Sequence, residues 1–393
     1  MSKVAAVPWI ERFPPTPRAR VEHRVRSWID RGRLAVGQEI PSETKLANEL
    51  SVARGTVRSA LKRLEAEGLL ECSQGRTRRV KSGPPVALSR SLLSRVFVVL
   101  APPVRDDPRH RQSGWSEWIT QGVIQALRAR SLHVLTLDPT EVRPAELSGL
   151  MQQTPAGVLV PEVFRGLCAD PAAGLPLLSR LRDAGVPAVA YGGDPRLAPF
   201  NRVVSDHEAG AYALTRYLVQ SGRRRPLMLI EQPGQTYWLT ARRSGYERAM
   251  REAGLEPVPP LTMPPFPAER EPSAEFFDSV SRYVMGHLYE HLAGTQPVDA
   301  ILAMSDGKVF PIARACELLG KRVHEDVAVV GYDNYWQDSW ERAYTELSPL
   351  ATIDKQNFEM GRQMVELLLD RADSDSIEAA QTRVVPPRLV LNS

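Results

Sequence analysis

Residues 54–66 read RGTVRSALKRLEA, and helical spacing separates two chemistries along them. Val57, Leu61 and Leu64 recur at i, i+4 and i+7, an apolar stripe. Arg54, Thr56, Arg58, Ser59 and Lys62 fall on the opposite face. Guanidinium and ammonium groups neutralise phosphates, and Arg and hydroxyl side chains also bond base edges, so this face suits the major groove of a duplex. A solvated helix face is the plain alternative for each basic residue. A second chemistry lies farther along. Ser305 and Asp306 follow the apolar run DAILAM, and Asp333 follows VAVVGY. Polar groups at the ends of such runs are where parallel sheets bind small ligands. Trp115 and Trp118 open a helical stretch after VFVVLAPP and offer aromatic walls to a cleft. Asp306 equally suits a helix N-cap, and Asp333 the brace of a turn.

The first set needs a small helical domain to present it. In TPRARVEHRVRSWIDRGRL, Val21, Val25, Trp28 and Ile29 share one helix face, with Gly32 as a stop. Ser42, following Pro41, caps a short second helix whose buried side carries Leu46 and Leu50. A tight turn at Leu50, Ser51 and Val52 leads into the third helix, which ends near Gly68. LLECSQGRTRRVK then reads as a hairpin with its tip at Gly75 and Arg76, followed by Arg78 and Arg79. Three short helices and a basic hairpin make a winged helix-turn-helix over residues 1–82, and the hairpin reaches an adjacent backbone or minor groove. Residues 83–95, with two adjacent prolines, form a semi-rigid linker. From 96 to 393, short apolar strands alternate with helices of 10–15 residues. The fold class is therefore α/β, with parallel sheets flanked by helices, and the length calls for two lobes.

Charge agrees with this division. Residues 1–82 hold 17 Lys and Arg against 9 Asp and Glu, whereas the remainder holds 33 against 37. Only the front end is built to meet a polyanion. No apolar run is long enough to span a bilayer, and the first 30 residues lack a secretory pattern, so a cytoplasmic protein is expected. Cys72, Cys168 and Cys316 show neither metal-ligand nor disulfide spacing and read as reduced thiols. No metal, cofactor or phosphate-cradling motif, and no Ser-His-Asp order, is present, so neither an enzyme nor a cofactor is expected.

Over residues 17–81, the motifs PSETKLANEL, VARGTVRSALKRLEAEGLL and QGRTRRV resemble the GntR family of regulators. That resemblance makes Arg54, Thr56 and Arg58 the leading DNA contacts, with Ser42 counted among them. Gly75 would shape the wing and Arg76 support it. Two features depart from the pattern: Ala53 stands where a capping Ser is usual, and Arg76 to Arg79 crowd the wing. Over nearly all of 96–393 the chain resembles the sensor domain of the LacI/GalR family, related to periplasmic sugar-binding proteins. The motifs are VVSDHEAGAYALTRYLVQSG, TARRSGYERAMREAGL, DAILAMSDGKVFPIARACELLGKRVHEDVAVVGYDN and LATIDKQNFEMGRQMVELLL. A GntR-like reader on a LacI-like sensor is the architecture of AraR-type sugar regulators.

The second resemblance implies a ligand site between the lobes. Arg242 matches the arginine that grips ligand oxygens, Asp333 a ligand-binding carboxylate, and Phe266 a stacking aromatic. Ser305, Asp306 and Trp115 join them, and Asp206 reads as a hinge or capping residue. Lys355 replaces a usual Gln and suits an anionic ligand such as a sugar acid or sugar phosphate, or else faces solvent. Gly192 or Gly193 stands where an acidic residue is common. The expected whole is a homodimeric repressor that reads a palindromic double-stranded operator under the control of a sugar or sugar derivative, without contact with a membrane. The alternatives are a sensor that only dimerises and, from another class, an enzyme domain fused to a DNA reader.

Overall fold

A computed structural model describes residues 17–30, 34–72, 77–81, 96–101, 114–139, 155–161, 174–230, 236–264, 272–373 and 379–392. At the N-terminus, helices α1 (Pro17–Asp30), α2 (Glu43–Glu49) and α3 (Arg54–Ala66) enclose one core. Val21, Val25, Leu46, Val57 and Leu64 are fully buried in it. The Ser42 hydroxyl caps α2 by accepting from the Lys45 amide (3.2 Å). Ser51 takes a left-handed φ of 50°, which reverses the chain between α2 and α3. Ala53 stands at the N-cap of α3 without a side-chain hydrogen bond. Strands β1 (Leu70–Glu71) and β2 (Arg79–Val80) pair antiparallel, with Leu70 opposite Val80. The expected wing tip, Gly75 and Arg76, lies outside the described residues, as do the linker 83–95 and Cys168.

The body contains two parallel sheets. In the first, β3 (Val96–Leu100), β4 (His133–Leu137), β5 (Gly157–Val160), β6 (Ala188–Tyr191), β7 (Arg202–Ser205) and β13 (Thr382–Val385) run in the order β13-β7-β6-β5-β3-β4. In the second, β8 (Pro226–Ile230), β9 (Leu261–Thr262), β10 (Ala300–Leu302) and β11 (Ala328–Val330) run in the order β11-β10-β8-β9. Central strands such as β5 and β8 are buried along their whole length, because helices cover both faces. Those helices are α4 (Gly114–Arg128), α5 (Gly174–Asp183), α6 (His207–Gln220), α7 (Tyr237–Glu252), α8 (Ala274–Ala293), α9 (Asp306–Leu318) and α10 (Asn357–Asp373). The parallel architecture read from the sequence is present. An antiparallel pair it did not foresee joins β12 (Ala351–Asp354) to β14 (Arg388–Leu391).

The chain passes between the two lobes three times among the described residues. Strand β7 of the first sheet leads into α6, which packs in the second lobe; β12 leads back into α10 on the first; β13 returns to β14. The crossing segments are short, residue 206, residues 355–356 and residues 386–387. At the middle one Gln356 has φ 57°, and its side-chain amide donates to the Pro386 carbonyl of the third.

Helices α4 and α10 meet backbone to backbone. A Cβ on Gly122 would stand 2.2 Å from the Phe358 carbonyl oxygen, and one on Gly361 2.2 Å from that of Ile119. Gly361→Ala is expected to cost about 1–3 kcal/mol through overpacking. Gly286→Ala in α8, where an added Cβ meets nothing within 4 Å, is expected to gain up to about 1 kcal/mol of helix propensity. Thermal denaturation of the two variants checks this; equal shifts would show that the close crossing is dispensable.

Candidate functional site

Two polar constellations stand apart from the cores. The first is the outer face of α3. Arg54 and Arg58 are 64% and 54% exposed and lie one turn apart. Both turn to Glu43 in the first turn of α2: Arg58 donates from Nε (3.1 Å) and Nη2 (2.9 Å), while Arg54 Nε stands at 3.5 Å. Arg78, on the return strand of the hairpin, reaches the other oxygen of Glu43 (2.9 Å) and also Glu65. These bonds, from Arg58 first, pull the Glu43 carboxyl down to about 2. Three guanidinium groups are thus gathered around one carboxylate at the junction of α2, α3 and the hairpin. Thr56 is half-buried on the first turn of α3. Sequence reasoning missed Glu43, although a carboxylate after a capping Ser, set against two arginines of the next helix, was there to be read.

The second constellation lies where the crossings meet the second lobe. Arg242 of α7 is 4% exposed. Its Nη1 donates to the Met304 carbonyl at the end of β10 (2.7 Å), and its guanidinium lies 3.4 Å over the Tyr332 ring and 4.8 Å over that of Trp238. Held between two aromatic faces, it has little freedom to turn. Its Nη2 stands 3.7 Å from Asp333 Oδ1, and Lys355 Nζ approaches the same oxygen at 2.9 Å. Asp333 has φ 93° and its neighbour Asn334 φ 55°, a strained backbone for residues with side chains.

That strain is held from below. Asp306 is fully buried, and its Oδ2 accepts from the Tyr335 (2.8 Å) and Trp336 (3.1 Å) amides. Its Oδ1 accepts from the Thr352 hydroxyl (2.6 Å). Burial raises the Asp306 carboxyl to about 7 against the pull of these donors. Gly331 provides the space, since a Cβ there would stand 2.0 Å from Asp306 Oδ1.

His207, Tyr237 and Tyr332 complete the cluster, and none was singled out from the sequence. The His207 ring stacks on Tyr332 (6.2 Å) and meets Tyr237 edge-on (5.9 Å). Burial, with Arg242 and Lys355 nearby, holds its pKa well below the ordinary value, so the imidazole is neutral at pH 7. Tyr237 crosses to the first lobe, hydrogen-bonding the Gly193 backbone, and a Cβ on Gly193 would stand 2.6 Å from its ring. Burial lifts the Tyr237 hydroxyl to about 12. The glycine in VPAVAYGG thus makes room for an aromatic ring from the opposite lobe.

The structure brings Arg242, Asp333 and Lys355 together. Asp306 lies beside them, with its oxygens turned to the loop after β11 and to Thr352. Ser305, half-buried ahead of α9, bonds the Tyr335 hydroxyl. Lys355 is 4% exposed, so the solvent-facing alternative does not hold: Asp333 draws it inward. Asp206 caps α6 by accepting from the Ala209 amide (2.8 Å). Trp115 belongs to α4, but its side chain lies outside the described residues, as does all of Phe266; Trp118 is 40% exposed. Among the described residues no His, Cys, Asp and Glu cluster is arranged to hold a metal, and no helix is long and apolar enough to cross a membrane.

Comparison with known proteins agrees with both parts. Residues 17–80 match the profile of bacterial regulatory proteins of the gntR family, and residues 215–392 that of the periplasmic binding protein-like domain. The chain is 32% identical over 221 residues to the HTH-type transcriptional regulator CelR of Thermobifida fusca, covering 56% of this chain and 57% of that one. It thus spans little more than half the length of that relative. It is 23% identical over 376 residues to an arabinose metabolism transcriptional repressor of Geobacillus stearothermophilus, covering 95% and 96% of the two chains. The solved structure of a CelR–cellobiose complex superposes with a TM-score of 0.55 at 24% identity, over 90% of this chain and 99% of that one, which shows the same fold. The chain is therefore similar to gntR-family regulatory proteins over residues 17–80 and to the periplasmic binding protein-like domain over residues 215–392, and it shares its fold with the CelR–cellobiose structure.

Proposed function

We propose that this protein is a cytoplasmic, homodimeric, DNA-binding transcriptional repressor whose operator affinity is set by a small polar ligand, a sugar or sugar derivative, bound between the lobes of its body. The observation that carries this reading is the coexistence of two polar constellations on one chain. One is an exposed arginine face on α3, and the other a buried Arg242–Asp333–Lys355 cluster beside the lobe crossings. We take residues 1–82 as the reader, 83–95 as the linker and 96–393 as the ligand-binding and dimerising unit. The names of two relatives support the assignment: one represses arabinose metabolism, and the other was solved with cellobiose.

In this reading, two copies of α3 enter successive major grooves, with Arg54, Thr56 and Arg58 toward base edges and phosphates. Ser42, Gly75 and Arg76 lie nearer the backbone. Arg242 and Asp333 grip ligand hydroxyls, with Ser305, Phe266, Trp115 and Lys355 around them and Asp306 holding the loop. Lobe closure then changes the spacing of the two readers. In this reading the body binds its ligand without transforming it: Asp333 is engaged by two cations and Asp306 by three donors, so both carboxylates serve to hold the site together.

Selection from a random duplex library at low salt is expected to enrich a palindrome. Arg58→Ala should weaken binding to it by about 1–3 kcal/mol. Failure to enrich any sequence, with no duplex bound at low salt, would sink the reading. Arg242→Ala is expected to leave ligand-free operator affinity unchanged while abolishing the effect of any sugar that shifts the wild type in the same gel-shift assay. A sugar response surviving in that variant would place the ligand elsewhere.

A further inference from the structure

Among the described residues, the cleft gathers two cations on one carboxylate, and that crowding points to the chemistry of its ligand. Two permanent cations, Arg242 and Lys355, each about 95% buried, converge on a single carboxylate oxygen of Asp333. The other buried carboxylate nearby, Asp306, faces away from them and is occupied by Thr352, Tyr335 and Trp336. With its carboxyl raised to about 7, it carries less than a full negative charge at neutral pH. Asp206, half-exposed, is committed to the first turn of α6. His207, between the cations and Tyr237, adds no compensating charge. Buried cations are costly unless anions accompany them, and a ligand anion can serve beside Asp333.

Unused polar atoms lie in the same region. Arg242 Nε is buried with no acceptor, and His207 Nδ1 is buried with no partner. Ser205 Oγ and Asn357 Oδ1, flanking the first and second crossings, are also buried without partners. Buried polar groups are nearly always paired, so orphans gathered around a charged cluster mark an absent binding partner. Its oxygens would answer Arg242 Nε and the two cations, while hydroxyls would suit Ser205, His207 and Asn357.

Taking this cleft as the effector site, we propose that its ligand is a polyhydroxylated molecule bearing an anionic group, a sugar acid or sugar phosphate rather than a neutral sugar. The anionic group seats between Arg242 and Lys355. Lys355 adjoins Gln356, whose left-handed backbone forms the second crossing. The ligand's charge therefore acts on the hinge itself, competing with Asp333 for the Lys355 ammonium.

Isothermal titration calorimetry of the full chain tests this, using a panel of pentoses and hexoses beside their aldonic and uronic acids and phosphate monoesters. At least one acid or phosphate is expected to bind about tenfold or more tightly than its neutral parent, as charge-assisted hydrogen bonds imply, with affinity falling as salt rises. The acid and phosphate arms separate the two sources of charge. Lys355→Gln should remove most of that preference, and Asp333→Asn, which removes the carboxylate charge that both cations share, should increase it. A neutral sugar binding the wild type as tightly as its acid, with Lys355→Gln unchanged, overturns the anionic ligand and leaves the effector site standing. No binding across the panel, with operator binding intact, overturns both.

Discussion

The buried carboxylate of Asp306 is the constraint on which the body's polar chemistry rests. It ties the Tyr335 and Trp336 amides and the Thr352 hydroxyl into one knot, linking the loop after β11 to strand β12. The loop must then bend sharply at Asp333 and Asn334, both with positive φ. Such backbone strain persists only where its surroundings over-determine it. Further restraint comes from the Asp333 amide, which donates to the Ile353 carbonyl (2.8 Å). Asp306 thereby fixes where the Asp333 carboxylate points, and Asp333 in turn fixes Lys355. A neutral replacement that lost these acceptors would release all three at once, since a buried amide left unpaired costs about 1–3 kcal/mol each.

From that knot the arrangement extends to the crossings. Lys355 stands between β12 and α10, and His207 opens α6 directly after the first crossing, so two of the three passages between lobes adjoin the charged cluster. Tyr237 adds a bridge of another kind, a ring from the second lobe laid on Gly193 of the first. A change of charge or of hydrogen bonding in this small volume therefore meets both the hinge and the lobe contact. Under the proposed function, no long relay of side chains is needed to couple occupancy to lobe geometry; the coupling groups are the proposed binding groups.

Much of this was legible in the sequence, and the parts that were not share a cause. The stripes Val57–Leu61–Leu64 and the wholly apolar strands declare themselves locally, because burial leaves a periodic record. Arg242, Asp333 and Lys355 were found through motif resemblance, and the structure places them within 4 Å of one oxygen. What pattern could not give was orientation. Asp306 reads as a carboxylate at a strand end whether it faces a ligand or the loop after β11, and only the fold turns it inward. His207 and Tyr237 owe their place to packing between residues far apart in sequence. Neither lies on a periodic stripe, and His207 was overshadowed by its neighbour Asp206, read as a hinge or cap.

The front end obeys the same logic in reverse. Glu43 gathers Arg54, Arg58 and Arg78 as Asp333 gathers Arg242 and Lys355, but here Arg54 and Arg58 are largely exposed and their pairs are screened by solvent, while Arg78 is mostly covered. Exposed pairs are weak and exchange readily, so a phosphate or base edge can take over an arginine that Glu43 has held in place. Glu43 lowers the entropy those long side chains lose on binding while costing little to leave. In the body, burial makes the same geometry strong, and under the proposed function only a ligand of matching charge displaces it. One motif, a carboxylate shared among cations, would thus serve as a loose holder toward the proposed polyanion and as a selective lock toward the proposed small ligand.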